Sequence, residues 1–215
     1  MRTMELWGVS DVGAVRKQNQ DAYYVSPADA RYPFAVVCDG MGGARAGNVA
    51  SSMAVESFAA TVGEGLNGEK PDVESLLRRA VEQANELVCY RAAMDESCRG
   101  MGTTLVAAVV GPERVYLVNV GDSRAYMVSH QGIRQLTRDH SVVEDLVERG
   151  EITHEEARLH PQKNLITRAL GAEAQVAVDS YVTQRQEGTL ILLCSDGLSN
   201  VVPDQELLFE LIHGG

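Results

Sequence analysis

The chain alternates between short unbroken apolar runs and longer stretches that carry apolar residues at helical spacing. Phe34-Ala35-Val36-Val37-Cys38 runs into Asp39, and glycines follow at positions 40, 42 and 43. A short apolar run bounded by glycine predicts a strand buried on both faces. The same design returns at 189–194, which leads into Ser195-Asp196-Gly197, and at 115–120, which leads into Gly121-Asp122. Further strands are predicted at 6–9, 22–25, 103–110, 124–128 and 176–182. The strands at 103–110, 114–120 and 124–128 are joined by tight turns at Gly111-Pro112 and Gly121-Asp122-Ser123, so they are expected to be antiparallel neighbours.

Helical spacing marks 46–62, a longer helix opened by Pro71 and Asp72 and running to about Ser97, and a closing helix over 203–213. Leu76, Leu77, Ala80, Ala84, Leu87 and Val88 are expected to form the buried face of the second helix. Between His140 and Leu170 the periodicity breaks into short polar helical turns. Ser141 with Glu144, and Thr153 with Glu156, resemble helix starts. This region reads as a flap of low intrinsic stability over about 141–165. Strands in blocks and helices in blocks imply an α+β fold rather than alternating βαβ units. No repeat or linker divides residues 1–215, so one domain is expected.

Composition narrows the function. The 215 residues are 45% hydrophobic, enough for a sizeable core. Acidic residues number 30 against 19 basic ones, a net charge of -11. That balance argues against nucleic acid or an anionic membrane as a partner. Cys38, Cys89, Cys98 and Cys194 have no paired spacing, which suggests neither a disulfide framework nor a zinc site and suits a reducing compartment. No apolar run approaches the roughly 20 residues of a membrane span. A cytoplasmic protein is expected.

A lone Asp-Gly after a strand is most often a turn. Three aspartates, each after a strong apolar run, instead suggest a carboxylate cluster for hard cations. If Asp39, Asp122 and Asp196 meet Asp21 at one sheet edge, all-oxygen ligation favours Mg²⁺ or Mn²⁺ over zinc or copper. Two such ions roughly 4 Å apart acidify a bridging water into a hydroxide nucleophile. Arg16, which alone reads equally well as a solvated charge, then suits a phosphate, because its planar fork engages two oxygens. Phosphate ester hydrolysis follows as the reaction class. Other phosphatase chemistries lack their residues. Six positions after the cysteines stand Ala44, Asp95, Thr104 and Asn200, not arginine. There is no Asp-x-Asp pair, no histidine beside an Asp-Gly site and no Walker loop.

Six segments together resemble the bacterial metal-dependent protein serine/threonine phosphatases of type 2C. They are Ser10-Asp11-Val12-Gly13 with Arg16 and Asn19-Gln20-Asp21; Val37 to Gly43; and Asn119-Val120-Gly121-Asp122-Ser123-Arg124. The others are Leu136-Thr137-Arg138-Asp139-His140-Ser141; His160-Pro161-Gln162-Lys163-Asn164 through Ala169-Leu170-Gly171; and Ser195-Asp196-Gly197-Leu198. The resemblance implies a β-sandwich of two antiparallel sheets flanked by helix pairs, in α-β-β-α layers. It implies that Asp39 bridges two metals, that Gly40 offers its carbonyl, and that Asp196 holds the first metal. It further implies that Asp122 joins Asp196 at a third, weaker site, that Arg16 binds the substrate phosphate and that Asp21 orients water.

The chain departs from the family pattern at three places. Gln20 replaces a metal-binding Glu, leaving an uncharged amide oxygen as the ligand. Met41 stands where animal relatives carry a histidine, so the leaving group must take its proton from water or the flap. The sequence reaches Gly215 before the family's Asp-Asn-x-Thr segment, so weakened metal binding and turnover are expected of the chain as it stands. The expected function is hydrolysis of phosphoserine and phosphothreonine in proteins by a monomer that opposes a bacterial Ser/Thr kinase. The rival is a catalytically weak regulator that binds phosphoprotein or metal.

Overall fold

The computed structural model describes residues 4–14, 16–43 and 46–214. The chain passes through β1 (Asp21–Val25) and β2 (Phe34–Met41), then helices α1 (Ala46–Gly65) and α2 (Val73–Met94). Five strands follow: β3 (Gly102–Thr103), β4 (Leu105–Val110), β5 (Arg114–Val120), β6 (Arg124–Ser129) and β7 (Gly132–Gln135). The short helices α3 (Val142–Glu148) and α4 (His154–Leu159) precede β8 (Asp179–Gln184) and β9 (Leu190–Cys194). A single turn, α5 (Asp196–Ser199), and α6 (Asp204–His213) follow.

Two antiparallel sheets result. The larger has the order β1-β2-β4-β5-β8, with β3 paired to the end of β2, and the smaller has the order β7-β6-β9. Strand β4 shows how the layers are stacked. Its alternate residues Leu105, Ala107 and Val109 belong to the cluster under the helices, which includes Phe58 and Val62 of α1 and Leu77 and Val81 of α2. Val106 and Ala108 point the other way, into a cluster with Ala125, Ile191 and Leu193 of the smaller sheet. Tyr126, Val128 and Cys194 form a third cluster, covered by Leu198, Leu208 and Ile212 from α5 and α6. The order is therefore helix, sheet, sheet, helix. Truncating Phe58, which is fully buried, to alanine should cost about 3–5 kcal/mol.

Several local expectations are corrected. Residues 6–9 form no strand: Trp7 and Val9 are exposed, and Gly8 lies against the Tyr23 ring and accepts a hydrogen bond from its hydroxyl at 3.1 Å. Side-chain contact there takes the place of a ladder. The segment 103–110 is interrupted at Thr104, and 176–182 joins the sheet only from Asp179. Helix α2 stops at Met94, where Asp95 caps it and opens a short 3-10 turn. Leu87 is 41% exposed, whereas Val81 is fully buried on the inner stripe. β5 and β6 do not pair. Both edges of β5 are taken, by β4 and β8, so the chain crosses at Gly121-Asp122-Ser123 into the other sheet. Strand β7, short and half polar, gave no apolar signal.

The region over 141–165 holds two short capped helices. Ser141 Oγ accepts from Glu144 N at 3.2 Å, and Thr153 and Glu156 form a reciprocal capping box. Its two ends meet, since Ser141 and Ile166 form an isolated bridge.

Candidate active site

Asp39 lies inside β2 rather than after it, and its register partner on β1 is Asp21. Residues directly opposite in an antiparallel pair share a face. The Asp39 backbone is held on both sides by two threonines. Its N–H donates to Thr104 Oγ1 at 2.9 Å, while its carbonyl accepts from Thr104 N and Thr103 Oγ1, each at 2.9 Å. Thr104 Oγ1 and Ser123 Oγ, both buried, are 2.7 Å apart. This hydroxyl pair ties Asp39 to the residue that follows Asp122.

Gly40 is glycine for a packing reason. A Cβ there would come within 2.0 Å of the Gly47 carbonyl oxygen in the first turn of α1. Its N–H donates to the Gln20 carbonyl at 3.1 Å, which Ser51 Oγ also meets at 2.6 Å. The Gln20 side chain donates from Nε2 to the Gly43 carbonyl at 2.6 Å.

Asp196 opens α5 at the end of β9, in the other sheet. Its neighbour Ser195 reaches across and donates from Oγ to Asp21 Oδ2 at 2.7 Å, while Asn200 Nδ2 donates to Asp196 Oδ2 at 3.1 Å. Asp122 sits on the crossover turn, where Gly121 has φ +107 and leaves no room for a Cβ, 2.6 Å from Thr104 Cγ2. Gly121 N donates to His140 Nδ1 at 3.1 Å, and its carbonyl accepts from His140 N at 2.9 Å and from Asn119 Nδ2 at 3.2 Å.

Charge accumulates where these elements meet. Burial, followed by the neighbouring charges of Asp21 and Asp196, pushes the Asp39 carboxyl up to about 8. The charge of Asp122 adds to this. Asp122 is pushed up to about 7, first by burial and then by Asp196 and Asp139, with Arg124 acting in the opposite direction. Among the described residues, no three Asp, Glu, His or Cys side chains already converge to hold an ion. The charge of Asp196 instead bears on Asp39 across the junction of the two sheets. The donors are all oxygen and their mutual repulsion is what a divalent cation neutralises, so the set fits Mg²⁺ or Mn²⁺.

Residues 14–213 match the family described as Protein phosphatase 2C. The chain belongs to that family. The serine/threonine phosphatase stp of Listeria monocytogenes is 43% identical over 201 residues, covering 92% of this chain and 79% of its own. The crystal structure of Stp1 from Staphylococcus aureus superposes with a TM-score of 0.87 at 35% identity, over 100% of this chain and 87% of that one. The catalytic domain of PstP, solved in complex with two manganese ions, gives a TM-score of 0.83 at 36% identity, covering 95% and 82%.

In this protein phosphatase the fold brings Asp21, Asp122 and Asp196 within electrostatic reach of Asp39, with Gly40 and Gln20 alongside. Arg16 stands apart. It is exposed on the segment before β1, and among the described residues no hydrogen bond or ion pair ties it to the four carboxylates. Sequence reasoning missed the residues that position the acids: Thr103, Thr104, Ser123, Ser195 and Asn19, whose Oδ1 accepts from Asp21 N at 3.0 Å. One signal was available for Thr104, a polar pair directly before an apolar run. Ser195 carried none, because its partner lies 174 residues away in sequence.

Proposed function

We propose that this phosphatase hydrolyses phosphoserine and phosphothreonine esters in proteins at the acidic cluster. Asp39 and Asp196 would hold one Mn²⁺ or Mg²⁺ ion, and Asp39 with the Gly40 carbonyl a second. Asp122 and Asp196 would serve a third, weaker site, with the Gln20 amide oxygen as a further ligand. The observation that carries the reading is the register pairing of Asp21 with Asp39 across β1 and β2, with Ser195, the neighbour of Asp196 in the other sheet, bonded to Asp21 at 2.7 Å. A protein retains such mutual repulsion where a cation is to be bound.

Bound ions supply Lewis acidity, which lowers the pKa of water and yields a nucleophile near neutral pH. The chain's own residues do the rest. Asp21, fixed by Ser195, orients the attacking water. Arg16 binds the phosphate dianion from the rim with its planar fork. Water adds to phosphorus, the bond to the serine or threonine oxygen breaks, and inorganic phosphate leaves. Met41 carries no exchangeable proton, so the alcohol takes its proton from water or from a group on the 141–165 flap.

A serine/threonine kinase must supply this substrate, which places the enzyme as the opposing activity, working as a monomer in the cytoplasm. The free state of all four cysteines supports a reducing compartment. Among the described residues no helix is long and apolar enough to cross a membrane. The test is hydrolysis of a phosphothreonine peptide after chelation. Activity should vanish with chelator and return with Mn²⁺, and metal-independent turnover would overturn the reading.

A further inference from the structure

The motif Leu136-Thr137-Arg138-Asp139-His140-Ser141 takes no part in the chemistry above, yet its histidine is among the most deeply buried side chains, at 1% exposure. Both polar groups of the Gly121 peptide are spent on this one residue. Gly121 N–H donates to the His140 ring at Nδ1, and the Gly121 carbonyl accepts from the His140 backbone. Because Nδ1 accepts, the neutral ring is assigned its proton on Nε2. The acceptor available to that proton is Asp179 Oδ2, 3.2 Å away. Arg168 Nη1 also lies 3.2 Å from Nε2 and is itself bonded to Asp179 Oδ1 at 2.8 Å. Tyr181 donates its hydroxyl to Asp179 Oδ2 at 3.2 Å. The carboxylate is thereby fixed from two sides and in turn fixes the ring.

We propose that His140 is a positioning residue that sets the Gly121-Asp122 turn, and with it the Asp122 carboxylate, for cation binding. The inference rests on the reading of Asp122 as a ligand. Asp122 belongs to neither sheet at this point. Its turn is held by Thr104 packed under Gly121, by Asn119, and by the histidine. The histidine extends the support to strand β8, through Asp179. The same residue roots the flap, since its carbonyl accepts from Thr167 N at 2.8 Å and Ser141 follows it as the cap of α3. A buried imidazole that merely filled space would tolerate an apolar substitute. Here such a substitute strands the buried Gly121 N–H and cuts the link to Asp179.

Two amide substitutions separate the ring's two functions. Asparagine places its Oδ1 near the position of Nδ1, so His140→Asn keeps an acceptor for Gly121 and drops Asp179. Glutamine places its polar group near the position of Nε2, so His140→Gln keeps a partner for Asp179 and drops Gly121. Calorimetric Mn²⁺ titration of the folded variants, with melting temperatures measured alongside, reads the outcome. His140→Gln should bind Mn²⁺ about 10–100-fold more weakly at the site that Asp122 serves, and His140→Asn, which keeps the bond from Gly121 but loses the anchor on β8, should be weakened less. Loss of melting temperature in both variants without a change in Mn²⁺ affinity would overturn the proposal, as would equal weakening in both. Asp122→Asn is the control for the underlying reading. If it binds Mn²⁺ as wild type does, the ligand assignment of Asp122 fails; if it is weakened while His140→Gln is not, the positioning role fails.

Discussion

Asp21 and Asp39 are direct register partners on β1 and β2, two acids placed opposite each other on one face of an antiparallel pair. Like charges in that relationship destabilise a sheet. Three arrangements hold them there: Ser195 donates to Asp21, the two threonines clamp the Asp39 backbone, and glycines at 40 and 47 let helix α1 press against β2. The fold thus carries a strained charge arrangement that only a proton or a cation relieves.

A dependence of stability on pH follows for the metal-free protein. Asp39 titrates near about 8 and Asp122 near about 7 in the fold, both raised from the ordinary 3.8. Between those limits the folded state binds more protons than the unfolded chain, so this stabilisation is complete below about pH 4 and is lost as pH rises through 7 to 8. The melting temperature of chelated protein should fall between about pH 5 and about pH 8.5, at about 2–4 °C for each kcal/mol. Asp39→Asn should flatten part of that fall and melt higher than wild type at the alkaline end. Identical pH profiles would contradict the coupling.

Arg16→Ala should raise KM for a phosphothreonine peptide more than it lowers kcat, because an exposed arginine at the rim contributes mainly ground-state binding of phosphate. Arg16→Lys should recover only part of the loss, having a point charge in place of a fork. Steady-state kinetics at saturating Mn²⁺ checks both. A defect confined to kcat would assign the arginine to the transition state instead.

Thr104→Val keeps the shape of the residue and removes the oxygen that accepts from Asp39 N and meets Ser123. A buried N–H and a buried hydroxyl lose their partner, which should cost about 1–3 kcal/mol. Denaturant unfolding measures the cost, and the variant should also bind Mn²⁺ more weakly than wild type. Full stability with unchanged binding would mean that the hydroxyl pair supports neither the fold nor the site.

How far the sequence reveals this arrangement depends on the range of the forces involved. The apolar runs before Asp39, Asp122 and Asp196 are local signals, best matched by burial in β5 and least in β9, where Leu190 is exposed and only Cys194 is buried. What the pattern could not convey was pairing. Leu6 to Val9 has the composition of a strand, yet a tyrosine side chain rather than a ladder receives it. The turn at Gly121 reads as a hairpin until the second edge of β5 is found occupied by β8, which begins 59 residues after β5 ends (Val120 to Asp179). Leu87 satisfies helical spacing but falls just off the stripe that faces the sheet. Ser195 and His140 act through partners distant in the chain, so neither could be recognised without the fold.

On the proposed reading, the carboxylates around Asp39 hold divalent cations in exchange for protons. Calorimetric titration of Mn²⁺ into chelated protein at about pH 7, repeated in buffers of different ionisation enthalpy, tests it most directly, because the buffer dependence counts released protons. Wild type should bind Mn²⁺ with net proton release, since Asp39 is largely protonated there. Asp39→Asn should bind far more weakly and release fewer protons. Mn²⁺ binding of equal affinity in Asp39→Asn, with equal proton release, would contradict the account.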